Sequence, residues 1–94
     1  MAVCTLFLNQ AADGSSDAFS LRGGSEYVVH VNGTFGGGTF KLVVVDKYGN
    51  ETDVPNSTAT AESVYKIELP SGTRVKGVLT GATNPVLDAY IDRL

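Results

Sequence analysis

Residues 39–54 read Thr39-Phe40-Lys41-Leu42-Val43-Val44-Val45-Asp46-Lys47-Tyr48-Gly49-Asn50-Glu51-Thr52-Asp53-Val54. The first half of this stretch is mostly apolar, β-branched or aromatic, which is typical of a β-strand. Gly49 and Asn50 readily adopt the backbone angles of tight turns, and Pro55 ends the segment that follows them. The stretch therefore predicts a β-hairpin with strands over 39–46 and 51–54.

Short apolar stretches separated by turn residues continue on both sides of this hairpin. The chain has 11 glycines and 3 prolines, and no window repeats apolar residues at helical spacing for long enough to predict a helix. Pro70-Ser71-Gly72 has turn chemistry and predicts a hairpin between strands 63–69 and 73–80. The other predicted strands are 3–9, 18–22, 26–32 and 86–94. We expect a single all-β domain over residues 1–94, an antiparallel β-sandwich or jelly-roll-like fold with seven or eight strands.

Charge and cysteine content exclude several classes of protein. Seven Lys and Arg residues against ten Asp and Glu give the 94-residue chain a net charge of −3. The cations are scattered and form no basic stripe, so we expect no nucleic-acid partner. The single cysteine, Cys4, excludes a disulfide framework within the chain and a cysteine-based zinc cluster. A chain of this size also has a small core, because it buries only about 60–65% of its unfolded surface.

The beginning of the sequence does not look like a secretory signal. Residues 1–8 lack a basic start, and Asn9 and Gln10 end the first apolar run early. The later apolar run at Val43-Val44-Val45 is much shorter than the roughly 20 residues that cross a bilayer. We therefore expect no membrane partner and synthesis of the chain in the cytoplasm.

Several strands are apolar on both faces, although a strand in a two-layer sandwich is usually polar on one face. In strand 39–46, Val43 and Val45 lie opposite the face that carries Phe40 and Leu42. Strands 3–9 and 26–32 show the same feature. Burial of apolar area contributes about 25 cal/mol per Å², so such second faces can stabilise an association. The residues predicted to form an interface on this basis are Val3, Phe7, Val28, Val43 and Val45.

The glycine-rich segment 33–38 adds one more interface candidate, Phe35. The spacing of its glycines matches neither a Walker nor a dinucleotide motif, and no helix is predicted after it. The segment predicts a wide hairpin with Phe35 at or near its tip. Such an aromatic side chain either docks a partner or folds back onto the sandwich.

No arrangement of side chains predicts catalysis. His30, the single histidine, and Cys4 both lie in strands with apolar neighbours, and no third orienting residue is recognisable. Asp88 and Asp92 share the strand face opposite Leu87, Ala89 and Ile91, which predicts that both point outward to solvent. They lie roughly 13 Å apart, too far for a glycosidase pair. We assign no catalytic residues and expect that the chain is not an enzyme.

Metal and cofactor sites are not predicted either. Residues 46–53 place oxygen-bearing side chains at alternate positions, as in a calcium loop, but the terminal bidentate glutamate of that motif is missing. An ordinary polar hairpin turn explains the same residues. We therefore expect no metal site and no cofactor.

Three stretches resemble the small all-β virion proteins of tailed bacteriophages. They are Asn32-Gly33-Thr34-Phe35-Gly36-Gly37-Gly38-Thr39-Phe40-Lys41-Leu42, the segment from Tyr65 to Leu69 with the turn Pro70-Ser71-Gly72-Thr73-Arg74-Val75 that follows it, and Gly81-Ala82-Thr83-Asn84-Pro85. The resemblance extends over residues 25–94. The resemblance implies a capsid decoration (cement) protein, or the base of a head fibre, located at the capsid surface of the virion. It implies binding to the major capsid protein and stabilisation of its shell. A small homo-oligomer, with a trimer as the expected state, follows from the same analogy.

Three other functions remain open on the sequence alone. An outward-facing carbohydrate- or receptor-binding module would use Phe35, Tyr48 and the loops rich in Asn and Thr. A head-fibre or tail component would share the fold and the interface but bind elsewhere on the virion. A small hydrolase would need a reactive thiolate at Cys4.

Overall fold

The computed structural model describes residues 2–22 and 26–93, and the side chains of residues 2–4 lie outside that description. Within these ranges the chain forms nine β-strands and no helix, so no described segment is a long apolar helix of the kind that crosses a membrane. The strands are β1 (Ala2–Gln10), β2 (Gly14–Ser15), β3 (Phe19–Ser20), β4 (Glu26–Thr34), β5 (Thr39–Val45), β6 (Glu51–Asp53), β7 (Ser63–Glu68), β8 (Arg74–Thr80) and β9 (Val86–Arg93).

Two antiparallel sheets enclose the core. Sheet A has the strand order β1-β9-β4-β7, and sheet B has the order β2-β8-β5-β6, with β3 also paired to β8. Because β2 and β3 pair with successive parts of β8, they act as one interrupted strand. The two sheets then have four strands each in the order of a jelly roll. This confirms the predicted all-β sandwich or jelly-roll-like fold.

The first predicted hairpin is present. Tyr48-Gly49-Asn50 reverses the chain between β5 and β6, and Val43 and Val45 pair with Asp53 and Glu51. Local turn chemistry was sufficient to predict this element, since the two strands are neighbours both in sequence and in the sheet.

Two other predicted hairpins are wrong, because their turns connect the two sheets. Pro70-Ser71-Gly72 does form a turn, in which the Thr73 amide donates to the Pro70 carbonyl at 3.1 Å. However, β7 pairs with β4 in sheet A, whereas β8 pairs with β5 in sheet B. The segment 33–38 likewise leads from sheet A to sheet B. Turn residues reverse the chain but do not decide which strand becomes the neighbour.

Phe35 folds back into the core instead of standing at an exposed tip. The segment around it packs closely on the loop that precedes β9, where the Thr83 amide donates to the Gly36 carbonyl at 2.9 Å. Gly36 has φ +61, and a Cβ there would lie 2.1 Å from the Thr83 carbonyl oxygen. Only glycine fits this approach, and the contact directs Phe35 inward.

Phe7 also lies in the core, so its predicted place on an outward face is wrong. The register of β1 against β9 shifts between Thr5 and Phe7, which lets both Leu6 and Phe7 point inward. The Phe7 ring meets Phe40 edge to face, with centroids 6.0 Å apart. The β-bulge that produces this arrangement has no signature in the alternation of the sequence.

Ser57 is a buried polar residue that extends the edge of sheet B beyond β6. Its hydroxyl accepts a hydrogen bond from the Leu42 amide at 3.1 Å and lies 2.7 Å from the Val54 carbonyl, to which it donates. Phe40 and Ala59 then exchange both backbone hydrogen bonds at 2.8 Å. Ser57 therefore satisfies backbone groups of β5 where its neighbouring strand has ended.

Replacement of Ser57 by alanine is expected to lower the free energy of unfolding by about 1–3 kcal/mol, because buried backbone groups lose their partner. Urea denaturation followed by circular dichroism measures the change. Ser71→Ala, in an exposed turn, is the matched control and should change stability by less than about 0.5 kcal/mol. Equal stability of the two variants would contradict this role of Ser57.

Candidate functional site

The outward surface of sheet A is the candidate site, here named the sheet-A face. Leu87, Ala89 and Ile91 on β9 are fully buried, so the residues between them point away from the core. The same alternation orients β4 and β7. The described residues of the sheet-A face are Thr5, Leu8, Glu26, Val28, His30, Asn32, Val64, Lys66, Glu68, Val86, Asp88, Tyr90 and Asp92.

Most of the strongly exposed large apolar residues in the described part of the chain lie on this face. The large hydrophobic residues that remain exposed there are Leu8 at 74%, Tyr48 at 78%, Val64 at 66% and Val86 at 52%. Three of these four belong to the sheet-A face, on the outer strands β1 and β7 and at the start of β9. An exposed apolar surface of this kind often marks a protein interaction site.

A row of side chains crosses the centre of the face. Thr5, Tyr90, His30 and Val64 lie opposite one another on the four strands in turn. The rings of His30 and Tyr90 stack in parallel, with centroids 4.5 Å apart and an interplanar angle of 8°. His30 Nε2 lies 3.5 Å from the Asp92 carboxylate. The row spans about 14 Å, given a strand spacing of about 4.8 Å.

The sheet-A face is acidic. Its described residues include four carboxylates but one lysine, Lys66, whose ammonium lies 3.4 Å from Glu26 and 3.5 Å from Glu68. These two carboxylates, Glu26 first, raise the pKa of Lys66. Asp88 accepts a hydrogen bond from the Asn9 amide at 2.7 Å, and Asp92 faces His30. Among the described residues, no Lys or Arg forms an ion pair with either aspartate.

The outward surface of sheet B, by contrast, does not leave its central valine, Val43, exposed to solvent. Val43 is only 2% exposed, although it points away from the core. Its cross-strand neighbours are Asp53 on β6 and Lys76 on β8. Lys41 pairs with Asp53 at 2.9 Å, and Lys76 pairs with Glu51. The aliphatic parts of such lysine side chains cover apolar surface while their charged ends remain in water.

The six predicted interface residues therefore have different outcomes. Phe7 is in the core and Val43 is 2% exposed, so the prediction that these two offer free apolar surface is wrong. Phe35 is also in the core, which is the second of the two alternatives that the sequence left open for it, and it offers no free surface to a partner. Val28 and Val45 are half-buried on outward faces, and their role in an interface stays a prediction. The side chain of Val3 lies outside the described residues.

Tyr48, the fourth exposed hydrophobic residue, stands at the tip of the β5–β6 hairpin. The Asp46 carboxylate accepts hydrogen bonds from the amides of Tyr48 at 2.8 Å and Asn50 at 2.9 Å. Lys47 Nζ lies 5.1 Å from the centre of the Tyr48 ring. The turn thus holds an aromatic ring in water on a fixed backbone.

Of the side chains considered for chemistry, the structure describes His30, Asp46, Asp88 and Asp92. Asp88 and Asp92 share one face, as predicted. Asp46 uses its carboxylate within its own turn, in place of the calcium loop that the sequence suggested as an alternative. The described residues contain no group of three or more His, Cys, Asp or Glu side chains that could hold a metal ion. The side chain of Cys4 lies outside the described residues.

Sequence reasoning did not identify Tyr90 as a site residue. Its position in the alternation Val86, Asp88, Tyr90, Asp92 was visible in the sequence. The pairing of β9 with β4 could not be predicted from the sequence, and this pairing places Tyr90 beside His30, 60 residues away in the chain. Asp92 was predicted on an outward face, but its contact with His30 depends on the same register.

The comparisons with known proteins concern the fold. The sequence matches no protein-family model and no curated protein. The structure is similar to the crystal structure of SPBc2 prophage-derived protein YomS, with a TM-score of 0.75 and 15% identity over 94% of this chain and 88% of YomS. It is also similar to the carbohydrate-binding module TmCBM61 in complex with beta-1,4-galactotriose, with a TM-score of 0.52 and 17% identity over 96% of this chain and 69% of the module. Both neighbours are consistent with the β-sandwich described above.

The turn at Asp46 generates a prediction about pH. Hydrogen bonds from the backbone amides of Asn50 and Tyr48 lower the pKa of Asp46 from its usual 3.8. The folded turn therefore favours the ionised carboxylate, and its contribution to stability is present above pH 3.8 and lost as the pH falls through the lowered pKa. The protection of the Tyr48 and Asn50 amides against hydrogen exchange, measured relative to the intrinsic rate at each pH, should therefore fall in that acidic range.

Asp46→Ala should remove the protection of the Tyr48 and Asn50 amides at neutral pH as well, so the loss of protection at acidic pH (the acid step) should disappear. Asp17→Ala, in an exposed loop, should leave the protection of these amides and its acid step unchanged. An acid step that persists in Asp46→Ala would contradict the assignment.

Proposed function

We propose that this chain is a non-enzymatic structural protein of a phage virion, a decoration protein that binds the major capsid protein and stabilises the capsid shell. The observation that supports it most is the likeness to prophage-derived YomS over 94% of the chain at a TM-score of 0.75. The jelly roll is also an architecture that viral capsid proteins use. The sequence resemblance to small virion proteins points in the same direction.

The shape of the molecule suits this role. Its extents are 34 × 29 × 20 Å, so its broad side can supply the about 800 Å² per partner that a stable protein interface buries. A decoration protein acts by linking capsid subunits, and every apolar contact that it buries favours the assembled shell. The chain would act at the outer capsid surface after its synthesis in the host cytoplasm. Homo-oligomerisation, with a trimer at local three-fold positions, is part of the proposal.

Binding to heads tests this function. Purified chain is mixed with empty heads, assembled from the major capsid protein of the phage or prophage whose genome carries the gene. The chain should sediment with the heads and raise their melting temperature, since a ligand that binds the assembled state stabilises it. Absence of the chain from purified virions, together with no binding to heads, would overturn the proposal. Immunogold labelling of the tail alone would assign it to a tail component instead.

A second candidate function, saccharide binding, is favoured by a specific observation. TmCBM61, which shares the fold, was solved in complex with beta-1,4-galactotriose, and Tyr48 presents an exposed aromatic ring. One face of such a ring can stack on the C–H groups of a sugar, while neighbouring polar groups donate and accept hydrogen bonds.

A glycan array and a titration with beta-1,4-galactotriose test this second candidate. Any saccharide bound through the hairpin should bind at least about fivefold more weakly to Tyr48→Ala, the loss usual for truncation of a central contact residue. Leu8→Ala removes a comparably exposed apolar side chain elsewhere and serves as the control. Saccharide affinity that is unchanged in Tyr48→Ala, or a glycan array without hits, would contradict saccharide binding at the tip of the β5–β6 hairpin.

A further inference from the structure

We propose that the sheet-A face is a docking surface for a protein partner whose own surface is apolar at its centre and carries Arg or Lys opposite Asp88 and Asp92. If the proposed function is correct, this partner is the major capsid protein. The identity of the partner, but not its chemistry, therefore rests on the proposed function. The chemistry of the partner follows from the face itself.

The apolar part of the argument rests on an asymmetry between the two outward surfaces. Leu8, Val64 and Val86 remain more than half exposed on sheet A, whereas Val43, which points outward from sheet B, is only 2% exposed. Between the exposed residues, His30 and Tyr90 present a flat stacked pair at the middle of the four strands. Aromatic residues near the centre of a surface are typical anchors of protein interfaces.

The electrostatic part of the argument selects a basic partner. Lys66 neutralises much of the charge of Glu26 and Glu68, which leaves Asp88 and Asp92 as the carboxylates with no Lys or Arg beside them in the described part of the chain. A partner that buries these aspartates must supply cationic hydrogen-bond donors, because an unpaired buried charge is strongly unfavourable. Nucleic acid and anionic lipid would be repelled by the same charges.

A second copy of the chain fits the face poorly. A two-fold contact places the same patch on both sides, so four carboxylates and one lysine would meet an identical set. Like charges that face each other across an interface are unfavourable. The face therefore fits a different protein, and any homo-oligomer would form through other surfaces.

A peptide titration tests the face independently of any virion. The full chain, labelled with ¹⁵N, is titrated with the synthetic peptide Arg-Val-Arg-Val-Arg, and with Glu-Val-Glu-Val-Glu as the matched control. The basic peptide should shift the amides of Val64, Asp88, Tyr90 and Asp92 most, with smaller shifts at higher salt concentration. The acidic peptide should shift none of them. Shifts that fall on sheet B, spread evenly or do not occur would overturn the proposal.

Charge-neutral variants sharpen this test. Asp88→Asn removes the negative charge but keeps a side-chain oxygen that can accept the hydrogen bond from the Asn9 amide. Asp92→Asn likewise removes only the charge of the carboxylate next to His30. Together they should weaken binding of the basic peptide at least about fivefold. Asp17→Asn, in an exposed loop away from the face, should not. Equal effects of the face and loop variants would show that the peptide senses only net charge, which overturns the proposal.

Binding to heads then separates the docking surface from the proposed function. Val64→Ser should weaken binding to heads at least about fivefold, whereas Val45→Ser on sheet B should change it little. Binding that depends on Val45 and not on Val64 would move the interface to sheet B and leave the decoration function intact. If the wild-type chain does not bind to heads but the peptide titration is positive, the docking surface stands and the capsid protein is not its partner.

Discussion

The antiparallel pairing of β4 with β9 is the interaction on which the rest of the structure depends. These two strands lie at the centre of sheet A and stay in register from Tyr27 and Arg93 to Thr34 and Val86. On the inner side their register packs Val29 against Ile91 and Val31 against Ala89, all of them buried. On the outer side the same register stacks His30 on Tyr90. A shift by one residue would exchange the two faces, so core and candidate site depend on the same hydrogen-bond ladder.

The outward surfaces of the two sheets differ in how far their apolar side chains are exposed. Sheet B covers its outward valine with paired lysines and carboxylates, and its β5 edge is completed by Ser57 and Ala59. Sheet A leaves apolar side chains exposed, and two of its four carboxylates, Asp88 and Asp92, form no ion pair with Lys or Arg among the described residues. A chain of 94 residues has a small interior, so a partner bound to an exposed face of this composition would add buried apolar area. The asymmetry explains why function is proposed for one side of the sandwich.

The predictions from sequence succeeded where the deciding contacts are local. Alternation along strand 86–94 predicted the shared face of Asp88 and Asp92 correctly, and the turn at Tyr48-Gly49-Asn50 identified the hairpin. They failed, or left two alternatives open, where a third segment decides the outcome. Phe35 was drawn inward by the loop at Thr83, Phe7 was reoriented by a β-bulge, and Val43 was covered by lysines from its own and a neighbouring strand. The segments on either side of Pro70 were separated because each pairs better with a distant strand than with the other.

The sequence by itself determined the all-β class, the approximate strands and the outward position of Asp88 and Asp92. These follow from the period of two in a strand and from the backbone preferences of turn residues, which act over a few positions. Only the tertiary structure decided which strands are neighbours, and therefore which exposed side chains form one surface. Strand pairing joins residues as far apart as His30 and Tyr90, and its free energy depends on the whole sheet, so no short stretch of sequence contains it.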